Sequence, residues 1–327
     1  MTRLAWEQAR YLGSATPVTK LLATTEQPER RQALETLVEV REFAIKAGLD
    51  VGGSYRKVAD TGSATPFQVV TAAYQDRLQA YTWWYPVVGA IPYRGYFDRA
   101  SAQSFAAQLA GEGLDTMIVE ASAYSTLGWF DDPLPSSVVD RGDGAVVVTV
   151  LHELVHQTFF APGEIAFNET LATAVAWRLV SQFLEQRGEG PRARRAEDSR
   201  VAWLGRSDAL DAAALRLDEF FAASRAESKT RQEMLAARTA VYAEVVAGLA
   251  RVDSEFVAKP GKESLDNASF LAEHRYATHA RAIDDWLATQ PSMAAALGAL
   301  RQAHSRGENL YAFVSATPLS AAGPPVR

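Results

Sequence analysis

The spacing of apolar residues changes character near residue 144. Upstream, segments of different period alternate. Residues 4–50 carry Leu34, Leu37, Val38, Phe43 and Ala44 at roughly helical spacing, with Gly48 as a stop and Gly52-Gly53 as a break. Residues 67–74 alternate and contain β-branched side chains, which predicts a strand. Residues 80–97 are dense in aromatics and punctuated by Pro86, Gly89, Pro92 and Gly95, a pattern of short strands and turns. A helix is expected over 98–111, with Asp98 or Ser101 near its cap and Gly111 at its end, followed by a strand over 115–121.

From 144 onward the pattern is helical almost throughout. Helices are predicted at 145–160 and 164–187, separated by Pro162-Gly163, then at 193–226 and 230–252. Pro260-Gly261 marks a loop, and shorter helices follow at 265–277, 279–289, 292–304 and 308–314. No internal repeat stands out. The expectation is one α+β unit over 1–317, with an α/β front to about 143 and a helical part to about 317, and a disordered tail at 318–327.

Composition narrows the field. The chain has 327 residues, 48% hydrophobic and 22% charged, enough for a sizeable core. Its net charge is −6 and its Lys and Arg residues are scattered, so no nucleic-acid partner is expected. The absence of cysteine removes disulfides, thiolate ligands and thiol nucleophiles together. No apolar run is long enough for a membrane span, and the N-terminus has no apolar signal region.

The chemistry concentrates in one stretch. His152-Glu153-Leu154-Val155-His156 places two imidazoles four residues apart, on one helical face, where both can reach one zinc ion. Glu153 projects beside that face, where it can polarise a metal-bound water as general base. The uncharged flanks Thr149, Val150, Leu154 and Val155 suit a buried helix. Catalytic zinc takes three protein ligands and leaves a position open. Glu169, early in the next helix, is the expected third ligand, with the small Ala172 one turn on; Glu164 is the alternative.

Several longer blocks accompany this motif: Gly53-Ser54-Tyr55, the aromatic stretch from Trp84 to Gly89, Tyr93-Arg94-Gly95-Tyr96-Phe97, Ala123 to Pro133, Ala166-Phe167-Asn168-Glu169-Thr170, Asn267-Ala268 and Tyr276. With them the chain, over about residues 5–315, resembles a bacterial family of predicted aminopeptidases, HExxH zinc metallopeptidases many of which are lipoproteins. The resemblance implies a zincin-like core, one zinc per chain, a peptide substrate and a periplasmic or envelope-anchored location, with a lipid anchor on a longer precursor. Two features depart from the family: cysteines common in its aromatic stretch are missing, and the N-terminus carries no lipoprotein signal, which leaves the cytoplasm open.

Peptide hydrolysis also needs a donor for the developing oxyanion. Tyr276, Tyr124 and Tyr93 are the candidates, with His279 behind them; His274 and His304 read as solvated helix residues. The stretch from Thr126 to Pro135 is expected to form an edge strand and loop along which an extended substrate lies. Arg94 is placed to pair a substrate carboxylate, and Asp131 or Asp132 to hold a substrate ammonium, although turn chemistry explains both acids equally. The charged helices over 193–252 carry no assigned chemistry. The expected function is a zinc-dependent, aminopeptidase-like peptidase. The alternative is a non-catalytic, metal-containing protein that binds peptides or envelope components.

Overall fold

A computed structural model describes residues 11–61, 67–85, 89–121, 131–258 and 264–316. The strands are β1 (Ala15–Pro17), β2 (Lys57–Ala59), β3 (Phe67–Tyr74), β4 (Trp83–Tyr85), β5 (Gly89–Ile91), β6 (Tyr93–Tyr96), β7 (Leu114–Ala121) and β8 (Leu134–Pro135). The helices of the front are α1 (Val18–Thr24), α2 (Pro28–Lys46), α3 (Arg99–Gly111) and α4 (Ser136–Val139). Those of the back are α5 (Asp143–Thr158), α6 (Ile165–Gln186), α7 (Gly190–Ala226), α8 (Arg231–Val252), α9 (Ser254–Val257), α10 (Asn267–His274), α11 (Ala280–Ala288), α12 (Met293–Ser305) and α13 (Leu310–Ser315). The chain is α+β and mainly helical, with small sheets. Among the described residues no helix is long and apolar enough to cross a membrane.

The sequence expectation of one helix over 4–50 is corrected. Residues 15–17 pair with β2 as a short strand, and two separate helices follow. Proline explains the division. Pro28 has no N–H to continue a helix from upstream, yet its fixed φ suits the first turn of a new one. Gly48 does end the segment: its φ is +88°, and a Cβ there would sit 2.5 Å from Ala294 Cβ. The same first-turn rule extends α7, which starts at Gly190 with Pro191 in its first turn rather than at 193. The helix expected over 265–277 stops at His274, and α4 was not anticipated. The 318–327 tail lies outside the described residues.

The sheet β6-β3-β7 is antiparallel throughout, and its register divides its side chains between two faces. Val70 pairs with Arg94 and Thr71 with Tyr93. The Val70 face is covered by α3, through Ala102, Ala106 and Leu109. The opposite face, with Thr71 and Tyr93, meets the end of α10. Asp98 caps α3 by accepting from the Ser101 amide at 2.9 Å.

The largest core gathers α2, α5 and α6 with α11, α12 and α13. Leu34, Leu37, Leu151, Leu154, Leu171 and Leu179 are all fully buried there, spaced three or eight apart on their own helices. A second core lies between α7 and α8 and receives Phe270 of α10. The buried amide of Asn267 joins α10 to the sheet: its Nδ2 donates to the carbonyls of Tyr74 at 2.7 Å and Arg77 at 3.0 Å. Its Oδ1 accepts from the Tyr242 hydroxyl at 2.6 Å. Replacing Asn267 by Ala leaves these buried groups unpaired, and a loss of about 2–4 kcal/mol is expected, read as a lower denaturant midpoint at unchanged slope. A midpoint shift worth under about 1 kcal/mol would show that Asn267 does not hold α10 to the sheet.

Candidate metal centre

The HELVH segment lies in α5. Val146, Val147, Val150, Leu151, Leu154 and Val155 bury the rest of its circumference, which leaves His152 and His156 on the remaining face. The helix is fixed at both ends. Asp143 in its first turn pairs with Arg192 of α7 at 2.8 Å. At the other end the Thr158 hydroxyl donates to the Leu154 carbonyl at 2.6 Å, and Arg301 donates to the Thr158 carbonyl at 2.8 Å.

Chain direction reverses over 159–164, where Gly163 takes φ +85°. Asn168 closes this turn. Its Oδ1 accepts from the Ala161 amide at 2.9 Å, and its Nδ2 donates to the Ala161 carbonyl at 2.8 Å. Sequence reasoning passed over Asn168 as a neighbour of Glu169. An Asn seven residues after a turn residue it must clamp leaves no periodic signal.

The clamp sets Glu169 opposite the two imidazoles. The three donor atoms form a nearly equilateral triangle: His152 Nε2 to His156 Nε2 is 3.2 Å, and each Nε2 is 3.3 Å from Glu169 Oε2. A tetrahedral zinc about 2.0–2.1 Å from its ligands needs donors about 3.3–3.4 Å apart, so the spacing fits such an ion. Among the described residues these three form the His/Cys/Asp/Glu group able to hold a metal. Glu164 stands exposed at the start of α6 and is not in it. The triad is recessed without being sealed, with side-chain exposures of 18%, 8% and 12% for His152, His156 and Glu169. His156 Nδ1 is buried and has no partner among the described residues, so packing holds this ring in place. Burial alone would raise the Glu169 carboxyl; the charge of His156 and hydrogen bonds from both imidazoles overcome this and hold it well below the usual carboxylate range.

Glu153 is half-buried beside the triad. Counting only the protein's own charges, its carboxyl is pushed up to about 7, chiefly by burial, against the lowering effect of His152 and with help from Glu169 and Asp132. A carboxyl in that range exchanges protons readily near neutral pH. Behind it lie Asp132, 3% exposed, and Tyr55, 3% exposed, whose phenol is raised by burial first and then by the charges of Glu153 and Asp132. Tyr55 has φ 61°, an uncommon backbone state for an aromatic residue, and its amide donates to the Asp132 carbonyl at 2.7 Å. No role for Tyr55 was drawn from the sequence. Its signals there are the preceding Gly-Gly-Ser, which permits the turn, and its place in the Gly53-Ser54-Tyr55 block.

Tyr276 flanks the triad, its ring centroid 6.3 Å from that of His152. Tyr276 is 42% exposed, and the negative charge of Glu169 raises its phenol well above the ordinary value, so the hydroxyl keeps its proton as a donor must. The segment that carries it is held by three side chains. Thr170 donates to the Arg275 carbonyl at 3.2 Å and Trp203 Nε1 to the Tyr276 carbonyl at 3.3 Å, while Ser207 donates to the Ala277 carbonyl. These bonds take the place of helical ones and account for the end of α10 at His274. Tyr93 reaches the same region: its ring lies 5.3 Å from the Arg275 guanidinium, and it acts electrostatically on Tyr276.

Other expected residues lie apart. Arg94, on the opposite face of β6 from Tyr93, places its guanidinium 5.1 Å from the Phe105 ring of α3. Exposed Asp131 packs its carboxylate against Gly53, where a Cβ would come within 2.1 Å of Oδ2. Tyr124 and Thr126 lie outside the described residues, as does most of the expected edge strand; Leu134 and Pro135 pair in parallel with β2. His274 is not solvated: its Nε2 meets Asp211 at 2.6 Å. His279 is also tied to Asp211, at 3.4 Å, and its ring packs on Tyr311. The His304 ring packs near Phe159.

Substituting Asn168 by Ala keeps every donor atom of the triad but frees the turn that aligns them. Metal affinity is expected to fall by about 10–100-fold, the range typical of residues that support metal ligands, measured by competition with a chromogenic chelator. Unchanged affinity would mean that α5 and α6 hold the triad without the clamp.

No curated protein and no solved structure matches the chain. A family model described as putative aminopeptidase matches residues 1–309. With nearly the whole chain covered, from the first residue through the metal-centre helices to α12, the protein belongs to the putative aminopeptidase family.

Proposed function

We propose that the chain is a zinc-dependent peptidase with a zincin-like core, acting in the aminopeptidase-like manner that its family's description suggests. The observation that carries this reading is the triangle of His152, His156 and Glu169, with Glu153 one residue along the same helix. Two nitrogens and one carboxylate oxygen are the donor set of hydrolytic zinc centres. Zinc bound there supplies Lewis-acid polarisation of a peptide carbonyl and acidifies a water.

The remaining work falls to side chains. Glu153 accepts the proton of the attacking water and returns it to the departing amine. Tyr276, with its proton held firmly, donates a hydrogen bond to the oxygen that gains charge, and Tyr93 lies next to it. His156 and Glu169 are the more deeply set members of the triad and anchor the ion, while the more exposed His152 borders the substrate.

Glu153→Gln is expected to retain zinc and lower turnover of a peptide library by about 100- to 10,000-fold, the usual contribution of a general base. Turnover within about tenfold of wild type would remove Glu153 from the mechanism. Glu169→Ala is expected to lose zinc during dialysis; full retention would place the third ligand elsewhere. Cleavage by the wild-type protein should cease with chelator and return with zinc. Bound zinc without cleavage of any library peptide would favour the metal-containing binding protein.

A further inference from the structure

Arg275 is 8% exposed, yet among the described residues no carboxylate lies within ion-pair distance of its guanidinium. A buried arginine is ordinarily paired, because an uncompensated charge shielded from water is unfavourable. Two half-buried arginines that face buried acids follow the rule. Arg238 meets Asp115 at 2.5 Å, and Arg178 meets Asp284 at 2.7 Å. Arg275 has instead one hydrogen bond, from Nη2 to the Thr71 hydroxyl at 3.2 Å, and the face of the Tyr93 ring, 5.3 Å from its Cζ. The Thr71 hydroxyl in turn donates to the Pro92 carbonyl at 2.9 Å. A guanidinium has five N–H donors in a flat fork suited to a carboxylate. Among the described residues Thr71 is the acceptor that fork meets, and its other N–H groups are not sealed from water.

Its place is beside the candidate metal centre. Arg275 precedes Tyr276, whose ring flanks His152, and its carbonyl is held by Thr170, the residue after Glu169. Tyr93, on the sheet, turns the face of its ring to the Arg275 guanidinium. The backbone that aims Arg275 is fixed by bonds from α6 and α7, so the fork is pre-set rather than floating. A positioned cation that meets no acid among the described residues, on the segment whose next residue flanks the triad, fits an anionic group brought by the substrate.

We propose that Arg275, with Tyr93 and Thr71, is the receptor for a carboxylate of the peptide substrate. This assignment rests on the peptidase reading and deepens it, since it names the end of the substrate that is read. An extended residue spans about 3.3 Å, so the terminal carboxylate of a di- or tripeptide stays within about 10 Å of its first peptide bond. A short peptide with a free C-terminus therefore reconciles a carboxylate receptor with cleavage at the amino end. The same cation repels a substrate ammonium, so the amino group is held away from Arg275.

The test is equilibrium binding by calorimetry to the zinc-loaded Glu153→Gln protein, which removes turnover from the measurement. The probes are Ala-Ala-Ala with a free C-terminus, its C-terminal amide, and Ala-Glu-Ala amide. A charge-assisted fork predicts that a carboxylate peptide binds about 10- to 100-fold more tightly than the neutral amide. It also predicts that adding Arg275→Gln abolishes the preference and that Arg275→Lys keeps part of it. Preference for the free acid identifies the terminal carboxylate as the group recognised; preference for the glutamate amide identifies an acidic side chain. No preference in the parent protein overturns the proposal without recourse to any Arg275 variant. A preference that survives Arg275→Gln overturns it as well, because the carboxylate then binds elsewhere, the metal included. Failure of the peptidase reading shows separately, as absence of chelator-sensitive cleavage by the wild-type protein.

Discussion

The geometry of the candidate centre depends on one side-chain amide. Asn168 bonds both the N–H and the C=O of Ala161, and so closes the turn between the two helices that carry the triad. Two imidazoles on one helix need only helical spacing to face a common point. A carboxylate from a second helix must arrive at the right height and angle, and small errors in either would open the triangle. The clamp sits one residue before Glu169, where an angular error has least length over which to grow. The buried leucines of the two helices then maintain the approach, with Ala172 allowing close contact at the next turn.

A second constraint acts from the far side of the chain. Residues 275–277 continue α10 as turns, and their carbonyls are taken up by Thr170, Trp203 and Ser207. These partners lie on α6 and α7, so the wall bearing Arg275 and Tyr276 is built from the same helix that carries Glu169. Asn267 ties the start of α10 to the loop after β3. Sheet, metal helices and wall are thus joined by buried polar bonds, each of which would be unfavourable to leave unmade. Directional bonds of this kind place donor atoms more finely than apolar packing alone can.

Much of this was legible in the chain and some was not, for physical reasons. The pairing of His152 with His156 followed from residue type and helical period, because two side chains four apart on a helix share a face locally, and Glu169 joins them as expected in the group able to hold a metal. Helix limits failed where proline acted as an initiator: Pro28 begins α2 and Pro191 lies in the first turn of α7. Strand parity decided Arg94. Its residue type suited a carboxylate partner, but register places it over Phe105 and leaves Tyr93 on the inner face. Residues that act by capturing distant backbone, such as Asn168, Thr170 and Trp203, leave no periodic trace. Arg275 was missed because arginine near a helix end reads as a solvated residue, and only the packed chain reveals its burial without an acid.

The proposed function requires that the triad hold one zinc ion. The most direct measurement is elemental analysis of protein purified without added metal, beside a His152→Ala/His156→Ala double variant prepared identically. The account predicts about one zinc per wild-type chain and almost none in the variant. Zinc absent from the wild type even after incubation with excess metal and dialysis, or equal in both proteins, would contradict it.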